Sequence, residues 1–171
     1  MKTNVVAVIA FVATIFAANW AIVTFGVIPV GGGFMAPAGV YFVGLAFPLR
    51  DFIQRRVGRR AAFACVIGGA LLSYFIAPRL AIASGFTFLV SETIDTLVYT
   101  LLQKRFALAV VFSCITALVV DSALFLWLAF GSETFLLGQI VGKSEASAFG
   151  AVLVILLAMR RERYAVLPRH A

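Results

Sequence analysis

FALAVVFSCITALVVDSALFLWLAF, residues 106–130, decides the fold. The stretch is apolar on every side apart from one acid, Asp121, and a few small hydroxyl residues, and Arg105 and Gly131 bound it. A helix apolar all round belongs in the core of a large protein or in a bilayer. A chain of 171 residues offers no core large enough to enclose one. The length suits a bilayer, which takes about 20 apolar residues per helix, with a range of about 17–25.

Outward from this run the same pattern repeats. Further apolar runs cover about 5–28, 34–50, 61–77, 86–102 and 134–159. Pro29 with Gly31, Gly32 and Gly33 closes the first, and the charged stretch from Arg50 to Arg60 closes the second. The second run is short, and Pro37, Gly39, Gly44 and Pro48 make it a candidate for a kinked or broken helix. Pro78 and Arg79 end the third run, and Leu80 to Gly85 reads as a loop or re-entrant piece before the fourth. Gln103, Lys104 and Arg105 end the fourth, and a basic tail beginning at Arg160 follows the sixth. The first run continues to about Ile28 without an early cleavage site, so it is expected to be a retained span and not a signal peptide.

The reading is an all-α, polytopic integral membrane protein with six transmembrane helices, residues 1–171 forming one domain. With the N-terminus inside, all Lys and Arg except Arg79 and Lys143 fall on one side. The positive-inside rule then puts both termini in the cytoplasm of a cell whose cytoplasmic membrane holds the chain.

Composition narrows the function classes. At 63% hydrophobic and 12% charged, the chain is too apolar for a disordered segment, a disulfide scaffold or an ordinary soluble enzyme. The net charge of +7 is explained by membrane topology, so no nucleic-acid partner is expected. Cys65 and Cys114 fall inside apolar runs and read as small hydrophobes, and the one His, His170, lies in the tail. With no His or Cys cluster and no Ser-His-Asp set, neither a metal, a cofactor nor an enzymatic activity is expected. Gly142-Lys143-Ser144 imitates the end of a phosphate-binding loop, but Gly138 lies one residue too close. Gly138 with Gly142, and the Ala13, Ala17, Ala21 series, are small residues at helical spacing. They suit close helix crossings, within the bundle or with a homo-oligomer or other membrane partner.

Polar residues inside the runs carry the functional signal. The fourth run holds Glu92, Asp95 and Tyr99, the fifth Asp121, the sixth Gln139, Lys143 and Glu145, and the first Asn19. An ionised group at mid-bilayer costs about 3 kcal/mol on insertion scales and so turns to a bundle interior or a polar cavity. Structural readings exist for each: Lys143 can neutralise Asp95 or Asp121, and Asn19 can bridge two helices. As a set they point to a solute site. The segments 91–99 and 117–125 repeat an Asp, a small hydroxyl residue and, four positions after the Asp, an aromatic, Tyr99 or Phe125. Carboxylates, Gln139 and Lys143 supply hydrogen-bond acceptors and donors, while Tyr99 and Phe125 offer faces on which a flat ligand can stack. Glu92, Asp95, Asp121, Gln139 and Lys143 are expected around one cavity with Asn19 at its edge. Asp51, Asp95 and Asp121 are the candidates for coupling transport to protons.

Between Phe47 and Lys143 the chain resembles the queuosine precursor transporter family, the YhhQ-like proteins also called VUT for vitamin uptake transporter. Asp51 with Gly58, Ser91-Glu92 with Asp95-Thr96, Asp121-Ser122 with Phe125 and Ala129-Phe130-Gly131, and Gln139 with Lys143 carry the resemblance. Where that family often has an acid and a tyrosine, this chain has Arg55 and Val57, and the family's proline near the end of the sixth span is missing. The resemblance implies import of 7-cyano- or 7-aminomethyl-7-deazaguanine across the cytoplasmic membrane. A substrate-binding subunit of an ATPase-driven vitamin uptake complex, and a structural membrane protein without transport, are the alternatives.

Overall fold

Apolar runs closed by glycine, proline or charge become helices here, and Pro48, which falls inside one of them, removes a single N–H donor without ending it. The computed structural model describes residues 2–165, so Arg169 and His170 of the tail lie outside the described residues. Six helices follow one another: α1 (Lys2–Phe25), α2 (Val40–Arg56), α3 (Arg59–Tyr74), α4 (Pro78–Leu102), α5 (Phe106–Phe130) and α6 (Leu136–Ala165). Helix α5 has the boundaries expected from its composition. Gly131 ends it in the left-handed region at φ 70°, a conformation that carries no Cβ penalty only for glycine.

Elsewhere the boundaries differ from the hydropathy reading, each time for a local reason. Helix α1 stops at Phe25 because Val27–Pro29 becomes a short strand, β1, antiparallel to β2 (Met35–Pro37). The register pairs Val27 with Pro37 and Pro29 with Met35. The second run therefore starts as a strand, and its helix begins only at Val40. That helix is continuous through Pro48 and is not broken. Leu80 to Gly85 is neither loop nor re-entrant. Pro78 occupies the first turn of α4, where its missing N–H costs nothing, and the helix runs on from there. Helix α3 ends at Tyr74, with the Ser73 carbonyl accepting from the N–H groups of Ile76 and Ala77. Helix α6 carries on through Arg160, Arg161 and Arg163.

Among the described residues, three helices are long and apolar enough to cross a membrane, over Asn4–Phe25, Pro78–Leu102 and Val111–Phe130. Arg50 and Asp51 interrupt α2, α3 has only 16 residues, and α6 carries Lys143 and Glu145. The outside of the bundle is apolar: Val6, Ile9, Ile67, Leu71, Ile82, Leu101, Ile115 and Phe149 are all more than half exposed. Patches of that extent on a protein surface meet a partner or lipid, not water.

Packing inside depends on small residues. Helices α2 and α6 run side by side in the same direction. A Cβ on Gly44 would lie 2.6 Å from the Ala146 Cβ and 2.7 Å from the Lys143 carbonyl oxygen. Gly142 meets Val40, Gly150 meets Pro48, and Gly138 lies against the Met35 carbonyl of the hairpin. The small residues of α6 thus serve crossings within the bundle. Of the alanine series on α1, Ala21 is buried and Ala13 faces out. One apolar core joins Phe11, Ile53, Ala62, Cys65 and Val66 near the arginine-bearing end, and a second joins Ile22, Ala83, Phe125 and Ala129.

Candidate functional site

All six helices converge on a central cavity of about 70 Å³. At about 10–15 Å³ per water, it has room for roughly five waters. Phe11, Val43, Val66 and Phe88 supply apolar wall, and Asn19, Thr87, Asp121, Gln139 and Lys143 supply polar atoms. The glycine contacts between α2 and α6 set the depth of Lys143, which is only 2% exposed.

The Lys143 ammonium donates to Asp121 Oδ2 at 2.7 Å and to Ser122 Oγ at 3.2 Å. An ammonium has three protons, so one N–H remains. It lies 6.0 Å from the Phe125 ring centre, within reach of a cation–π attraction. On the far side of the carboxylate, Ser91 Oγ sits 3.4 Å from Asp121 Oδ1 and 3.1 Å from the Phe88 carbonyl oxygen, with one proton for both. A buried charge unpaired costs several kcal/mol, and this arrangement leaves neither partner unpaired.

Two neutral groups are different. Gln139 and Thr87 line this cavity, and their buried Oε1 and Oγ1 atoms have no hydrogen-bond partner among the described residues. Leaving such an atom unmet costs about 1–3 kcal/mol, so it marks a place where a solute or water belongs. Asn19 is 1% exposed and its amide makes only a long 3.4 Å bond to the Ile15 carbonyl oxygen.

A second, larger cavity of about 360 Å³ lies toward the arginine-bearing end. Arg50 of α2 pairs there with Glu92 of α4, and also holds Asp51 at 2.7 Å. Asp95, Ser144, Ser147 and Cys114 share the lining. Phe47, Phe88 and Lys143 line both cavities and so form the partition between them. The Arg50 guanidinium sits 6.0 Å from the Phe88 ring centre, bracing the aromatic side of that partition.

The single expected cavity is therefore two. Asp121, Gln139, Lys143, Phe125 and Asn19 come together in the central one, with Asn19 inside it and not at its edge. Glu92, Asp95 and Asp51 belong to the other. Of the two acids within reach of Lys143 on paper, Asp121 is its partner. Tyr99 lines neither cavity and is 38% exposed, so it does not sandwich a ligand with Phe125. The reason is the antiparallel packing of α4 against α5, which sends the equivalent positions 99 and 125 to opposite ends. Glu145 faces out, its carboxylate lying over Gly31.

Sequence reading missed Arg50, counted there as a loop charge, and the wall residues Phe47, Phe88 and Thr87. Thr87 had a signal: Thr87, Ser91 and Asp95 follow one another at intervals of four and share a helix face. Among the described residues no three His, Cys, Asp or Glu side chains gather to hold a metal, and both cysteines are free. No family model, curated protein or solved structure matches the chain.

Proposed function

We propose that this chain is a six-span solute importer of the cytoplasmic membrane, with both termini inside, whose central cavity binds a deazapurine-like base once Phe47 and Phe88 move aside to join it to the larger cavity of about 360 Å³. The observation that carries the reading is the pair of buried oxygens of Gln139 and Thr87, unpartnered among the described residues, on side chains that line a cavity walled by all six helices. Beside them, Lys143 keeps one N–H to give and Asp121 keeps lone pairs to receive. A guanine-like edge matches that set: its ring N–H and amine donate to Gln139 Oε1 and the carboxylate, and its carbonyl accepts from Lys143. The apolar wall of Phe125, Phe88 and Phe47 suits the faces of the ring.

Orientation follows from charge. The arginine-bearing end of the bundle carries Arg55, Arg56, Arg59, Arg60, Lys104 and Arg105, and the positive-inside rule assigns it to the cytoplasm. The larger cavity then faces the cytoplasm and serves as the route by which solute leaves the central one. The resemblance to queuosine precursor transporters names the solute as 7-cyano- or 7-aminomethyl-7-deazaguanine.

The test is uptake of labelled queuosine precursors by cells that cannot make them, with guanine as competitor. Saturable uptake that depends on this chain is the expected result. No uptake, with the protein present in the membrane, overturns the reading, and a requirement for a separate membrane partner and ATPase pair turns it toward a subunit of an ATPase-driven complex. Reporter fusions check the topology: a C-terminal tail reached only from outside refutes six spans.

A further inference from the structure

We infer that the central cavity selects an uncharged solute over the same solute carrying an ammonium group, with Thr87 as a contact that orients it. This rests on the proposed solute-binding role and adds a charge rule and a residue to it.

Charge balance carries the argument. The charged side chains on the central wall are Lys143 and Asp121, and they cancel at 2.7 Å. The carboxylates that stand clear of a buried pair, Asp95 and Asp51, line the other cavity, beyond Phe47 and Phe88. A second cation entering the central cavity finds no counter-charge, and it meets the Lys143 ammonium, which lies 6.0 Å from the Phe125 ring centre. Desolvating an ammonium without a partner carries a heavy penalty. The atoms that lack partners, Gln139 Oε1 and Thr87 Oγ1, are neutral, and each completes a hydrogen bond with an uncharged solute. Thr87 on α4 and Gln139 on α6 stand on separate helices, so together they fix the in-plane angle of a flat solute.

The experiment measures binding of two deazapurine lactams to the full-length protein in lipid nanodiscs at neutral pH. The compounds are identical except that one carries a nitrile and the other an aminomethyl group. The nitrile compound is expected to bind at least about tenfold tighter, the effect of about one hydrogen bond or unpaired charge. Thr87→Val, nearly the same shape, is expected to weaken the nitrile compound by about tenfold, and Thr87→Ser to recover it. Both variants are checked for an unchanged melting temperature. Equal or tighter binding of the aminomethyl compound overturns the charge rule and leaves the solute site standing. Unchanged affinity in Thr87→Val removes Thr87 from the contact set. Binding of neither compound by wild-type protein sinks the solute site and this inference together.

Discussion

Replacing Lys143 by Met keeps the bulk of the side chain and removes its charge. The lost ammonium sits 2.7 Å from Asp121 Oδ2 and is 2% exposed, while Asp121 is 6% exposed. The carboxylate is left buried with the Ser91 hydroxyl at 3.4 Å, which can donate to it but cannot neutralise it. Breaking a buried pair from one side costs about 3–5 kcal/mol. That hydroxyl brings the expected cost to the lower end, about 3 kcal/mol, or roughly two decades in the folding equilibrium. Removing both charges, as in Lys143→Met with Asp121→Leu, is expected to restore most of that stability, because a buried pair replaced by apolar groups of similar volume is often neutral. Uptake, in contrast, is expected to be lost in the single and the double variant alike, since neither retains the ammonium and carboxylate facing the cavity. Thermal melting of detergent-solubilised protein, read by size-exclusion chromatography, gives the stability arm, and precursor uptake gives the functional arm. A single variant as stable as wild type refutes the buried pair. A stable double variant with normal uptake refutes its place in the solute site.

Glu92→Gln is expected to abolish uptake while costing less stability than Lys143→Met, about 1–2 kcal/mol, because Arg50 keeps Asp51 as a partner at 2.7 Å; the same melting assay ranks the two. Gly44→Ala forces a methyl into the α2–α6 contact at Lys143 and is expected to cost about 1–3 kcal/mol and lower uptake. Gly68→Ala, where a Cβ meets nothing within 4 Å, is its control and is expected to be neutral or to stabilise by up to about 1 kcal/mol. Tyr99→Phe and Glu145→Gln are expected to leave uptake within about twofold of wild type, since both side chains lie outside the two cavities; a severe loss in either places the site elsewhere.

Hydropathy alone was enough for the helical class, the six helices and the boundaries of α5, because a long apolar run has few options and Arg105 and Gly131 mark its ends. It was not enough for the hairpin. Val27-Ile28-Pro29 and Met35-Ala36-Pro37 are apolar triplets that merge with the neighbouring runs, and only their pairing across Gly31–Gly33 sets them apart. Nor could composition show that Leu80 to Gly85 continues a helix already started at Pro78. The need for partners was also legible: acids and a lysine inside apolar helices must be satisfied, and helical spacing put Gln139 and Lys143 on one face. Which charge meets which was decided by tertiary packing. Lys143 takes Asp121 and not Asp95 because the α2–α6 glycine contacts set its depth, and Glu92 takes Arg50, which reaches it from α2 across the larger cavity. The division into two cavities has the same origin. Phe47 and Phe88 look like ordinary span residues in the sequence, and they become a partition only where α2 and α4 bring them beside Lys143. Periodicity assigns a residue to a face, but the neighbour of that face is set by how helices distant in the chain cross, and that follows from the side-chain volumes at their contacts.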